Sequence, residues 1–269
     1  MKALKMVVCI KPVPSPDQYH HVSIDPKTKS LIREGIPTII NPLDKNALEA
    51  ALQIRDKYGG EVSVISMAPP AAEENLREAL AMGADRAFLI SDRAFAGSDT
   101  LATSMVLASA VKKIGPADLI LTGNESADGG TSQVSAQLGE WLGYPHLMHS
   151  CGIEVLDGGD SLRVETHRDQ ARVVYIMKMP GVVSVIRSIN KPRFTSLMGV
   201  ISSRNKPLDT LSSLDLLLDK AFLGLEGSPT KPGDIYQPDL TRRCVPLEGS
   251  TDDVALALIQ KLRAAGLQL

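Results

Sequence analysis

Ala117-Asp118-Leu119-Ile120-Leu121-Thr122-Gly123-Asn124-Glu125-Ser126-Ala127-Asp128-Gly129-Gly130-Thr131-Ser132-Gln133-Val134 is the stretch on which the fold turns. Its first six residues read as a strand apolar enough to be buried on both faces, hence a central strand of a parallel sheet. A Gly-rich loop follows at once, and the spacing places a helix from about Thr131 to Leu142. Strand, loop and helix in that order form the unit of a doubly wound α/β protein, whose ligands bind beyond the carboxyl ends of the strands.

Upstream, the same rhythm recurs. Lys5 to Lys11 reads as a first strand, stopped by Pro12, Pro14 and Pro16. Asn41-Pro42-Leu43-Asp44 opens a helix, with Asn41 as N-cap and Pro42 at the first helical position, where the N–H it lacks has no partner to lose. Ala47, Leu48, Ala51, Leu52 and Ile54 give that helix its apolar stripe, and Gly59-Gly60 ends it. Glu61 to Met67 and Arg86 to Ile90 are further strands; Glu73 to Met82 and Thr100 to Ile114 are helices. His20 to Asp25 and Ser30 to Arg33 read as the two arms of an exposed hairpin.

Downstream of Gly143 the period changes. Gly152–Leu156, Ser161–Thr166, Arg172–Met179 and Val182–Ile186 read as antiparallel additions to the sheet. Residues 200–250 carry scattered Pro and Gly with no sustained period, and an amphipathic helix spans about Asp252 to Ala265. The expected organisation is an α/β domain over 1–190, a mostly parallel open sheet flanked by helices, with residues 191–269 as an arm lying on a partner.

Composition narrows the function. With 29 Lys plus Arg against 31 Asp plus Glu, the formal charge of −2 offers no pull on nucleic acid. No apolar stretch is long enough to span a membrane, and a secretory core is lacking, so the expected location is the cytoplasm, or an organelle after processing. Cys9, Cys151 and Cys244 lie far apart without a CxxC pair, the pattern of buried thiols rather than of a disulfide or zinc framework. His146 and His149 have ligand spacing but no neighbouring carboxylates, so no metal site is expected. No G-x-S-x-G elbow or Cys-His pair supports nucleophilic catalysis.

The loop suits a nucleotide phosphate. Gly129 and Gly130 permit close backbone approach, Thr131 and Ser132 add hydroxyls, and helix N–H groups point at an anion. Asp128 cannot welcome a phosphate and is expected to cap the helix or to accept bonds from backbone or ribose. A capping turn without a ligand fits the same residues. The loop is neither a Gly-Lys-Ser/Thr P-loop nor a GxGxxG fingerprint.

Five ordered segments resemble the beta subunit of electron transfer flavoproteins. They are Val7-Val8-Cys9-Ile10-Lys11-Pro12-Val13-Pro14; Asn41 to Ala51; Ala79-Leu80-Ala81-Met82-Gly83-Ala84-Asp85-Arg86; Gly123 with Asp128 to Val134; and Asn190-Lys191-Pro192-Arg193-Phe194-Thr195-Ser196-Leu197. The resemblance covers essentially the whole chain. It implies a heterodimer with an alpha subunit that holds most of an FAD, electron exchange with acyl-CoA dehydrogenase-type flavoenzymes, and a quinone oxidoreductase, ferredoxin or flavodoxin as acceptor. It implies a carrier with no catalytic residues, not itself embedded in a membrane, that has its own site for AMP or, in bifurcating members, a second FAD. By resemblance Cys9, Asn41, Pro42, Leu43, Asp44, Met67, Gly123, Asn124, Glu125, Ser126, Ala127, Asp128, Gly129, Gly130, Thr131, Ser132, Gln133 and Val134 line that site, and Leu197 docks the dehydrogenase. Burial of Leu197 in the heterodimer is the alternative. Gly130 stands where the bifurcating pattern has a second Asp, and Ser135-Ala136 where it has Gly-Pro, which brings the loop near the FAD version without matching it. A homodimeric ATP-binding protein of the universal-stress type shares a similar sheet, but the long 187–269 segment stands against it. An ATP-pyrophosphatase-like adenylating enzyme is a second rival, whose Gly-Gly loop has another residue order.

Overall fold

The computed structural model describes residues 3–17, 23–24, 31–32, 36–156, 158–169, 171–231, 233 and 244–267. In chain order the first half comprises β1 (Leu4–Cys9), β2 (Pro12–Pro14), β3 (Ser23–Ile24), β4 (Leu31–Ile32), β5 (Thr38–Ile40), α1 (Pro42–Tyr58), β6 (Gly60–Met67), α2 (Glu73–Met82), β7 (Arg86–Ile90), α3 (Thr100–Ile114) and β8 (Leu119–Gly123). Then come α4 (Val134–Leu142), β9 (His146–Val155), β10 (Ser161–Arg168), β11 (Ala171–Lys178), β12 (Gly181–Val185), α5 (Leu197–Ser203), β13 (Leu208–Leu211) and α6 (Thr251–Ala264).

Nine strands form one sheet in the order β11-β10-β9-β12-β8-β1-β6-β7-β13. β8, the strand expected to be central, is the fifth of the nine, and all five of its residues are buried. Side chains alternate across β1: Leu4, Met6 and Val8 join one core with α1 and α2, while Val7 and Cys9 join the other with α3 and α4. Helices therefore cover both faces, the doubly wound arrangement that buried parallel strands require. Each fully buried Leu or Ile in these cores, such as Leu48, Leu80 or Ile120, contributes about 1.5–3 kcal/mol of transfer free energy.

From β1 the chain moves to β6 and β7 on one side, then returns through α3 to β8 on the other side of β1. The switch point lies between the carboxyl ends of β1 and β8, which opens a crevice there.

Several expectations need correction. Val182–Ile186 was expected to be antiparallel, but β12 runs parallel between β8 and β9. Its Gly-Val-Val-Ser-Val sequence is buried at every position, the pattern of an interior parallel strand. Only the β9–β10 and β10–β11 pairs are antiparallel in this sheet. The stretch beyond residue 200 is also more regular than its composition implies. It completes α5 and supplies β13, which pairs parallel with β7 at the sheet edge. Consequently the first compact unit runs from Met1 to Gly233, and the boundary expected at 190 falls inside it. The remaining unit, Asp234–Leu269, contains α6, opened by a capping box between Ser250 and Asp253.

Of the expected 20–33 hairpin, Ser23–Ile24 pairs antiparallel with Leu31–Ile32; its other residues, His20 and His21 included, lie outside the described residues. No helix among the described residues is long and apolar enough to cross a membrane.

Candidate functional site

The crevice is built by three strand ends. Cys9 closes β1 and stands opposite Thr122 of β8 and Ile65 of β6, and Met67 closes β6 two residues further on. Gly123 ends β8, beside the first turn of α1. A Cβ on Gly123 would lie 2.3 Å from Asp44 Oδ1 and 2.8 Å from Leu43 Cβ. Only glycine admits the turn of α1 at this distance.

Asp44 occupies the resulting gap. Its Oδ1 accepts the Gly123 N–H at 3.0 Å and its Oδ2 the Lys11 N–H at 2.8 Å. One carboxylate thus ties the end of β1 to the end of β8. Burial pushes the Asp44 carboxyl up to about 7, against hydrogen bonds and the Lys11 charge that pull it down. Burial, reinforced by the Asp44 charge, also pushes the Cys9 thiol up, so Cys9 offers a neutral, apolar surface rather than a thiolate.

Asn41 departs from its expected job. It occupies the N-cap position of α1 without making a side-chain cap bond. Its amide instead crosses to the β8 loop, where Nδ2 donates to the Glu125 carbonyl at 2.8 Å and Oδ1 accepts from the Ala127 N–H at 3.1 Å. Asn124 is turned inward: Oδ1 accepts from Ser184 Oγ at 3.1 Å and from the His149 N–H at 3.3 Å. It buttresses the loop from beneath.

Asp128 Oδ1 lies 2.6 Å from Lys11 Nζ, and α4 begins at Val134 rather than Thr131, with Gln133 in the N-cap position and making no side-chain cap bond. The cause is backbone conformation. Gly130 (φ 58°) and Ser132 (φ 54°) are left-handed, which breaks helical geometry and leaves residues 129–133 as an open turn. Gly129 and Gly130 N–H groups fold back onto Ser126, at its hydroxyl and its carbonyl respectively. Ser132 donates to Glu125 Oε2 at 3.0 Å, and Gln133 Oε1 accepts from Thr100 at 2.8 Å. Thr131 is exposed and Val134 half-buried.

Cys9, Asn41, Leu43, Asp44, Met67 and residues 123–134 therefore lie at the carboxyl ends of β1, β6 and β8 or in the turns beside them, with Pro42 exposed. Leu197 stands apart, on α5. Lys11 and Ser184 are the participants that sequence reasoning missed. Lys11 had a local signal, as the charge that ends β1; Ser184 had none, because it reaches Asn124 only through the parallel placement of β12.

The arrangement fits a nucleotide. The uncapped first turn of α4 presents N–H groups to an anion. A Cβ added at Gly130 would meet nothing within 4 Å, so there is space beside the turn, and Cys9 and Met67 provide apolar surface at the strand ends.

Residues 28–216 match the family model described as the electron transfer flavoprotein domain. An electron transfer flavoprotein subunit beta from Thermoanaerobacterium thermosaccharolyticum is 42% identical over 262 residues, covering 97% of this chain and 98% of the relative. The caffeyl-CoA reductase-Etf complex subunit CarD of Acetobacterium woodii is 39% identical over 262 residues, at 97% and 98% coverage. Protein FixA of Bradyrhizobium diazoefficiens is 38% identical over 262 residues, with 95% of this chain and 90% of the relative covered. With the crevice at the β1/β8 switch point and full-length likeness of this order, the chain belongs to the electron transfer flavoprotein family, as a beta subunit.

Proposed function

We propose that this chain pairs with an electron transfer flavoprotein alpha subunit, which holds most of an FAD, and carries electrons between an acyl-CoA dehydrogenase-type flavoenzyme and a quinone oxidoreductase, ferredoxin or flavodoxin. In this reading residues 123–134, with Cys9, Asn41, Pro42, Leu43, Asp44 and Met67, hold a nucleotide in the beta subunit itself. The observation that carries it is the junction of Gly123, Asp44 and Asn41, which fixes an open Gly-Gly turn over the strand ends. Kinship with a subunit of a caffeyl-CoA reductase-Etf complex supports a flavoenzyme acting on a CoA thioester as docking partner. The cytoplasmic location goes with this reading, supported by three free and separate cysteines.

A bound flavin supplies one- and two-electron transfer; the protein supplies binding, orientation and electrostatics. Here Asn41 fixes the loop, Asp44 holds the two strand ends together, and Cys9 and Met67 offer apolar surface to an adenine. The loop sequence from Asp128 to Val134, nearer the bifurcating pattern, favours a second FAD over AMP, and the open space beside Gly130 is compatible with either.

Denaturing the purified heterodimer and quantifying released nucleotides tests this. Two FAD per dimer are expected. One FAD with one AMP assigns the ordinary carrier, and a lone chain that forms a stable ATP-binding homodimer overturns the reading in favour of the universal-stress alternative.

A further inference from the structure

An electrostatic conflict lies inside the crevice. The Asp128 side chain sits in the loop at 4% exposure, and a carboxylate so placed repels any phosphate brought to the Gly-Gly turn. Lys11 resolves it. Its stem reaches from the end of β1 to the β8 loop, and Nζ lies 2.6 Å from Asp128 Oδ1 and 3.2 Å from Ser126 Oγ. The Lys11 side chain nevertheless stays 42% exposed. An ammonium carries three donors, and Asp128 and Ser126 engage two of them. A Cβ on Gly129 would be 3.8 Å from Nζ, so the ammonium stands beside the stretch of loop where the backbone is bare.

We propose that Lys11 is a phosphate ligand of this site: anchored on one side by Asp128 and Ser126, its ammonium turns its exposed side to the phosphate of a bound adenine nucleotide. This role rests on the nucleotide reading above and adds a residue outside the Gly123–Val134 segment. Asp128 becomes a positioning residue, which orients the ammonium and keeps its own charge on the protein side of it. The pair is neutral as a whole, so attraction for phosphate comes from orientation, with the cation facing outward and the anion inward. A charge-assisted N–H to a phosphate oxygen is about twice as strong as a neutral hydrogen bond.

The test is calorimetric titration of the nucleotide-depleted heterodimer with AMP and, separately, with adenosine, which lacks the phosphate. Lys11→Met is expected to weaken AMP binding about 10- to 100-fold and to change adenosine binding less than about threefold. Lys11→Gln is one atom shorter but retains an N–H donor for Ser126 and Asp128 while removing the charge. It is expected to show the same selective loss, and it guards against a Met variant that fails to assemble. Asp128→Asn, which frees the ammonium from its anchor, is expected to cost AMP more than adenosine. Equal losses of AMP and adenosine in the Lys11 variants, or unchanged AMP affinity, overturn the role of Lys11 and leave the nucleotide site standing. A wild-type heterodimer that binds neither AMP nor FAD at this site overturns the site and Lys11 together.

Discussion

Asp44 shows how one side chain couples two strands. Folding removes it from water and pushes its carboxyl from 3.8 to about 7, mainly by burial. Because the folded value lies above the unfolded one, the native state holds a proton that the unfolded chain has released at pH between about 4 and 7. The stability contributed by this group is therefore present at low pH and lost as pH rises through about 7. Denaturant unfolding of wild type and Asp44→Asn between pH 4.5 and 8 should show wild type losing ground to the variant as pH rises, with the difference levelling above about 7. A difference that stays flat would mean that Asp44 is ionised throughout. The sequence placed Asp44 at the turn of α1, but its burial depends on Gly123 of β8, 79 positions away. The same holds for Asn41. Its type and its place before Pro42 mark an N-cap, yet the loop competes for its amide and wins, since two backbone groups of that loop, the Glu125 carbonyl and the Ala127 N–H, need partners.

At the scale of elements, α5 is a short helix held rigidly from behind. Ser196 caps it through the Gly199 N–H at 3.0 Å. Gly199 rests so close to α2 that a Cβ would lie 2.4 Å from the Ala81 carbonyl. Arg77 reaches the Ser203 and Lys206 carbonyls at 2.9 and 3.0 Å. Lys206 in turn donates to the Leu80 and Ala84 carbonyls at the end of α2, a cation on the negative end of a helix dipole. Just upstream, Arg193 bonds to buried Glu49 and to Asp56, which fastens the segment to α1. The anchoring leaves Leu197 (76%) and Met198 (72%) facing outward. A rigid, exposed leucine is suited to a partner's apolar groove. In the docking role that the family resemblance implies for Leu197, Leu197→Ala should slow reduction by the dehydrogenase several-fold, with flavin content unchanged and thermal stability of the heterodimer within about 0.5 kcal/mol of wild type. A loss of heterodimer stability with an unaltered transfer rate would assign Leu197 to the subunit interface instead. Among the elements, long helices and buried strands were legible because their 3.6- and 2-residue periods are local properties. β13 was not: it is four residues long, has only half-buried ends, and becomes a strand by pairing with β7.

At the scale of the molecule, the described residues of both hydrophobic cores extend no later than Leu223, within the unit that ends at Gly233. In the second unit α6 presents Leu256 (58%) and Ile259 (39%) as exposed side chains three positions apart on one helix face, a face of the kind that a partner subunit covers. A chain truncated after Gly233 is accordingly expected to retain a cooperative thermal transition within a few degrees of the full chain, while its association with the alpha subunit weakens at least tenfold in analytical ultracentrifugation. Full-strength association of the truncated chain would remove residues 234–269 from the interface. What the sequence by itself determined was the alternation of buried strands with amphipathic helices, the central place of β8, the Gly-rich loop after it, and the motifs that carry the family. These depend on residue type and short spacing, and each can be read within a window of one element. Tertiary structure alone decided the parallel course of β12, the diversion of Asn41, and the pairing of Lys11 with Asp128 across 117 positions. A polar side chain bonds to whatever the sheet order brings within reach, and that order is fixed by burial of the two cores rather than by any local stretch of chain.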